Sequence, residues 1–391
     1  MRDLSRIGLG VAAALLIIST AGVAAPMQQI LIGSYTHDSD SPGILRLHFD
    51  PEQGRLDPQP LQGISSHNPS WLVLDEERRR LYATNENGPG RADPVGRISA
   101  FSLADDGVLQ PLGQVSTLGD EPTHASLSVD GRYLFVANYG SRENPGGNLT
   151  VVPLDAQGHP QPVTQIAAHR PSNVHPERQK SAHVHSAVPS PDGRTLFVSD
   201  LGADRIFVYR YDASNSERPL SPAKPASIEL PPGSGPRHLV FSPDGSQAYA
   251  TLELSAQIAR FDHVDGSLVQ RQLLDLAEDS DTGQHSPGAI HVSPDGRFLY
   301  VSDRAEANRI MVYAIEEHGS LREIQQRPSE GREPREFAID PSGRFMLIAN
   351  QKSDALVLLQ RDPDSGLLGE TLQTLPMGQP SDVKFLPASE H

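Results

Sequence analysis

Pro236-Arg237-His238-Leu239-Val240-Phe241-Ser242-Pro243-Asp244-Gly245, followed by Ala248-Tyr249-Ala250-Thr251-Leu252-Glu253, is the clearest copy of a unit that recurs along this chain. A short run of strand-forming residues meets an Asp-Gly turn, and a second run ends in a polar residue. Asp-Gly tolerates the backbone of a tight hairpin, so the unit predicts two antiparallel strands. Aligned on the turn, the copies begin at Pro69, Pro122, Val184, Pro236, Pro287, Pro334 and Pro380, between 46 and 62 residues apart. A period near fifty with several short strands per unit predicts a β-propeller rather than a helical solenoid. The last copy, Pro380-Ser381-Asp382-Val383-Lys384-Phe385-Leu386, stops after one strand. Its missing second strand is read at residues 30–35 and its third at residues 43–49. The expectation is an all-β, seven-bladed β-propeller whose last blade is closed by N- and C-terminal strands, leaving no free sheet edge.

The chain starts with Arg2 and Arg6, an apolar run over residues 7–18 and the small-residue box Ala24-Ala25-Pro26. That order is the layout of a secretory signal. Residues 1–25 are therefore read as a signal peptide and residues 26–391 as the propeller, soluble in the periplasm and monomeric. The sequence has no cysteine. Disulfides, thiol catalysis, Cys-ligated zinc and a lipid-modified N-terminal cysteine are excluded together. The formal charge is −16 with no Lys/Arg-rich run, which argues against nucleic acid or an anionic membrane as partner.

In an antiparallel hairpin the start of the first strand lies beside the end of the second. In a propeller the first strand is innermost, so both positions face one mouth of the central channel. The second strands end at Tyr35, Glu86, Tyr139, Leu201, Glu253, Arg304 and Gln351. The first strands start near Trp71, His124, His185, Arg237, His238, Arg335 and Glu336. These residues differ from blade to blade, which points to a site rather than a repeated structural device. Glu86 and Glu253 are candidate general bases. Arg237, Arg304 and Arg335 could hold an oxyanion, a carboxylate or a phosphate. His183-Val184-His185 puts two imidazoles on one face of a strand. No third metal ligand accompanies them, so no metal is expected. The devices Gly-x-Ser-x-Gly, His-Glu-x-x-His and Gly-x-x-x-x-Gly-Lys are absent. Asp38-Ser39-Asp40 and Asp279-Ser280-Asp281-Thr282-Gly283 resemble starts of calcium loops, but Phe49 and Ile290 occupy the twelfth positions. Both are read as turns.

These residues carry a family resemblance. Gly33-Ser34-Tyr35-Thr36 with Gly43-Ile44, then Asn173-Val174-His175-Pro176-Glu177-Arg178-Gln179 and His183-Val184-His185-Ser186, are similar to the bacterial lactonase family of seven-bladed propellers. That family includes propeller-type 6-phosphogluconolactonases and is related to fungal carboxymuconate-lactonizing enzymes. Asp200-Leu201-Gly202-Ala203-Asp204-Arg205, Gly235-Pro236-Arg237-His238 and Glu253-Leu254-Ser255 complete the pattern. The resemblance implies lactone-ring hydrolysis with no covalent serine intermediate, no required metal and no cofactor. It points to a histidine of the 183/185 pair, Arg237, Glu253 and Arg304 as the site. Tyr35, Glu86, His124, Tyr139, His238 and Arg335 are expected to bind substrate. One assignment gives Glu253 as base, kept ionised by Arg304, and a histidine of the pair as acid; the roles could also be reversed. Sugar phosphates are cytoplasmic, so an exported enzyme is expected to act on an unphosphorylated lactone, D-glucono-1,5-lactone foremost. The rival readings are a 6-phosphogluconolactonase, a lactonizing cycloisomerase acting on a dicarboxylate, and a non-enzymatic binding platform.

Overall fold

Each Asp-Gly turn of the repeat is closed by the same side-chain device. In the copy at residues 242–247, Asp244 Oδ1 accepts from Ser242 Oγ (2.6 Å) and from the Ser246 amide (3.0 Å). Gly245 supplies the positive φ of 70° that the turn needs. Ser128/Asp130, Ser190/Asp192 and Ser293/Asp295 repeat the serine-to-aspartate bond at 2.5–2.6 Å. These hairpin turns are thus held by bonds between near neighbours in sequence.

The computed structural model describes residues 27–140, 148–276 and 283–387. The signal segment at residues 1–25 and most of the Asp279–Gly283 turn reading lie outside these. Seven antiparallel sheets form the blades, six of them four-stranded in chain order. The fourth blade, for example, runs Pro236–Phe241, Gln247–Leu252, Gln257–Val264 and Ser267–Asp275. The seventh is the predicted composite. Pro380–Phe385 is its inner strand, Gln28–Ser34 lies next, and Gly43–Asp50 follows. Ile30 pairs with Phe385, Ile32 with Val383 and Gly33 with Asp382.

Contact between blades completes the ring. Asp382 Oδ2 accepts the Leu72 amide of the first blade at 2.7 Å. A Cβ at Gly33 would sit 2.2 Å from the Pro69 carbonyl oxygen, so only glycine allows this approach. On the other side, Phe49 packs edge-on against Phe345 and Phe385 at 5.6 Å. Each such buried aromatic contributes roughly 1.5–3 kcal/mol relative to an exposed one. Among the described residues no helix is long and apolar enough to cross a membrane.

The middle of the channel is filled by rings from the inner strands. Trp71 lies 4.5 Å from His124 and 5.3 Å from His238, and His185 lies 5.2 Å from His238. Beyond this layer, toward the far ends of the inner strands, is a cavity of about 420 Å³ lined by Ser126, Val188, Val240 and His291. Burial, helped by Lys384 and Arg237, lowers the His124 pKa from 6.5 to about 3. His238 and His185 shift the same way, also chiefly through burial.

Two outcomes are expected. A chain ending at residue 379 lacks the inner strand of the closing blade, leaves the strand Gln28–Ser34 with an open edge and should lose the melting transition of the whole ring. An unchanged melting temperature would count against closure as the stabilising step. The second outcome concerns acid. Between pH 6.5 and about 3 the unfolded chain binds the His124 proton and the folded chain does not. Stability from this residue is therefore intact above pH 6.5 and falls as the pH drops, by up to about 1.4 kcal/mol per pH unit. His124→Asn keeps an acceptor for the Ala187 amide and should flatten the dependence of melting temperature on pH between 7 and 5. A slope identical to that of the parent chain would refute it.

Candidate active site

Glu253 follows the strand Gln247–Leu252, and its amide is fixed to the Gly235 carbonyl at 2.7 Å. The side chain is 8% exposed and surrounded by arginines. Oε1 accepts from Arg178 Nη2 at 2.7 Å, and Oε2 accepts from Arg304 Nη2 at 2.9 Å. Arg237 Nε is 3.1 Å from Oε2, but its N–H is not aimed at the oxygen and makes no hydrogen bond. That contact is therefore one of charge alone. Burial opposes ionisation of Glu253, yet Arg304, Arg237, His185 and Arg178 outweigh it and hold the carboxyl well below the usual carboxylate range. Both oxygens are occupied, so the group is a poor proton acceptor at neutral pH.

Arg304 is anchored on every side. Its Nε donates to the Ser286 carbonyl (3.1 Å), Nη2 to Ser286 Oγ (2.9 Å) and Nη1 to Glu333 Oε1 (3.2 Å). Arg237 is the opposite case. It is 2% exposed, and among the described residues neither Nε nor Nη1 has a hydrogen-bond partner. Burial, then repulsion from Arg304, lowers its pKa to about 9 despite Glu253. A buried cation with free donors is suited to a negative oxygen that forms during reaction.

The two histidines of the 183/185 pair have different surroundings. His183 precedes the strand Val184–Pro189, and a register shift separates Val184 from Ser186. His183 Nδ1 is 2.7 Å from the Tyr139 carbonyl, which can only accept, so Nδ1 carries the proton. Its ring stacks on Tyr139 at 4.4 Å. His185 is buried, and among the described residues nothing hydrogen-bonds to its Nδ1. Burial and then Arg237 hold it well below its ordinary pKa, while Glu253 pulls the other way. It is a neutral imidazole beside both Arg237 and Glu253.

Tyr35, Glu86 and Arg335 form the other side of the mouth. Tyr35 Oη donates to Glu86 Oε2 at 2.7 Å, and Arg335 Nη2 reaches the same oxygen at 3.3 Å. The Arg335 guanidinium lies over the Tyr35 ring at 5.1 Å. His185, Arg237, His238 and Arg335 line one small cavity. His238 lines this cavity and also the one beyond the ring layer. His124 lines the latter as well, its ring 4.5 Å from that of Trp71.

Sequence reasoning passed over Arg178 as a site residue. It lies in the long loop between the strands Gln165–Ala167 and Val184–Pro189, where no strand period places a side chain. Besides Glu253, its Nη2 donates to Tyr139 Oη at 3.0 Å. Glu333, which directly precedes the inner strand Pro334–Ile339, was passed over too, although it stands where His183 stands before its own strand. Among the described residues no group of three or more His, Asp or Glu side chains could hold a metal ion. Among the described residues Arg178, Arg237 and Arg304 meet Glu253, Arg304 and Lys352 meet Glu333, and Arg335 meets Glu86.

The chain resembles several known proteins over nearly its whole length. A periplasmic gluconolactonase of Pseudomonas aeruginosa has a solved structure that superposes with a TM-score of 0.89 at 48% identity, covering 93% of this chain and 99% of that one. A 6-phosphogluconolactonase of Formosa agariphila is 31% identical over 361 residues, 91% of this chain and 99% of the relative. One of Bacillus subtilis is 30% identical over 360 residues, 91% and 97% of the two chains. The profile of the family described as lactonase, seven-bladed β-propeller matches residues 29–385. The chain belongs to the lactonase family of seven-bladed β-propellers.

Proposed function

We propose that this enzyme hydrolyses an unphosphorylated sugar lactone, D-glucono-1,5-lactone foremost, to the aldonic acid in the periplasm. The observation that carries the reading is the buried Arg237, with two free donors, beside the neutral His185. Water attacks the lactone carbon as His185 takes its proton. Arg237 donates to the carbonyl oxygen as it becomes negative, and Glu253 stabilises the imidazolium. The tetrahedral species collapses, the bond to the ring oxygen breaks, and His185 returns the proton to that oxygen. This reverses the assignment of Glu253 as base, because both of its oxygens already accept hydrogen bonds from arginines.

The likeness to a periplasmic gluconolactonase supports the same substrate and address. The signal layout of residues 1–25 agrees with export.

The test is proton release after adding glucono-1,5-lactone or its 6-phospho form, with spontaneous hydrolysis subtracted. The unphosphorylated lactone should give the higher kcat/KM; a preference for the phosphate would overturn the substrate assignment. His185→Gln should lower kcat about 100-fold, and Arg237→Lys, which loses the fork, at least ~10-fold. Full activity in His185→Gln would remove His185 as base and return that role to Glu253. N-terminal sequencing of exported protein should begin near residue 26; an intact Met1 in a membrane fraction would overturn the address.

A further inference from the structure

We propose that Asp204 is a positioning residue that sets Arg178, Arg237 and Glu253 in register. The inference rests on the hydrolytic reading of the same site. Asp204 is 5% exposed and adopts a left-handed backbone with φ 53°. No cation pairs with it among the described residues; its carboxylate is filled by neutral donors from two separate loops. Oδ1 accepts from Gln179 Nε2 at 2.7 Å and from the Gly235 amide at 2.9 Å, and Oδ2 accepts from the Gly233 amide at 2.8 Å. Hydrogen bonds that N–H groups donate to a carboxylate are roughly twice as strong as neutral ones.

Each loop ends on a site residue. Gln179 is fully buried and directly follows Arg178. Its Oε1 accepts the His175 amide at 2.9 Å, and His175 Nδ1 accepts the Arg178 amide at 3.1 Å. The turn that aims Arg178 at Glu253 is therefore tied to Asp204 through one amide side chain. In the second loop, Gly235 precedes the inner strand Pro236–Phe241, which carries Arg237. The Gly235 carbonyl receives the Glu253 amide at 2.7 Å, and the Ser234 carbonyl receives that of Leu254 at 3.1 Å. Three side chains from distant parts of the sequence thus take their places from one carboxylate. Misplacing a reacting group by about 1 Å can cost about 100-fold in rate.

The test combines kinetics with crystallography on the full mature chain. Asp204→Asn should lower kcat/KM for glucono-1,5-lactone about 10-fold or more, mostly in kcat. Gln179→Met, which removes the side-chain bonds of Gln179 to Asp204, the His175 amide and the Leu201 carbonyl but leaves the Gly233 and Gly235 bonds to Asp204, keeps the question answerable if the first variant does not fold. It should lose about as much as Arg178→Ala, and the double variant should be within about 2-fold of Arg178→Ala alone. Losses that multiply in the double variant, or unchanged kinetics in Gln179→Met, would overturn the proposal. In crystals of Gln179→Met, Arg178 should leave hydrogen-bonding distance of Glu253. A retained contact at 2.7 Å would overturn the proposal whichever lactone is the substrate, whereas absent turnover by the parent chain would fault only the proposed function.

Discussion

Antiparallel pairing of the strands Gln28–Ser34 and Pro380–Phe385 is the interaction on which the rest of the molecule depends. The other six blades are made from continuous chain, but a ring of blades has two open faces until its ends meet. Joining the termini removes both faces and presses the Phe49 cluster between the seventh and sixth blades. It also draws Asp382 onto the Leu72 amide of the first blade. Only in a closed ring do the inner strands converge on one axis. Tyr35, Glu86, Tyr139, His185, Glu253, Arg304 and Arg335 come from seven different blades and meet for that reason.

The second constraint is electrostatic. Buried guanidinium groups are tolerated when carboxylates and carbonyls satisfy them. Arg304 and Arg335 meet this condition through Glu253, Ser286, Glu333 and Glu86. Arg237 does not, since two of its donors have no hydrogen-bond partner and Glu253 offers it only charge. Burial of a cation with free donors is destabilising by itself. It is sustained by the ring of neighbours and suits a ligand oxygen better than a protein one. The imidazoles beneath, held neutral by burial, keep a low-dielectric floor under this group and so strengthen its effect.

The hairpins and blade count were legible because they are local. Alternating strands, Ser-x-Asp-Gly turns and polar strand ends follow from neighbours in sequence, and the inner strands begin at Pro69, Val184, Pro236, Pro287, Pro334 and Pro380 as the repeat implies. Pro122 is the exception, since its strand starts earlier, at Asp120. Residues at strand ends were placed at the mouth for the same reason, because a period of two and an antiparallel turn leave few choices.

What the sequence by itself determined is the propeller, its closure by both termini and the roll of residues at strand ends facing one mouth. Only the tertiary structure decided which of these touch. His124 packs its ring 4.5 Å from Trp71, a contact set by a partner from another blade. Arg178 entered the site from a loop without strand period, carried there by Gln179 and Asp204. Glu253 proved to be saturated by arginines, a state set by the distances between residues far apart in the chain. Hydrogen bonding and desolvation depend on such distances, and no residue's own neighbours in sequence contain them.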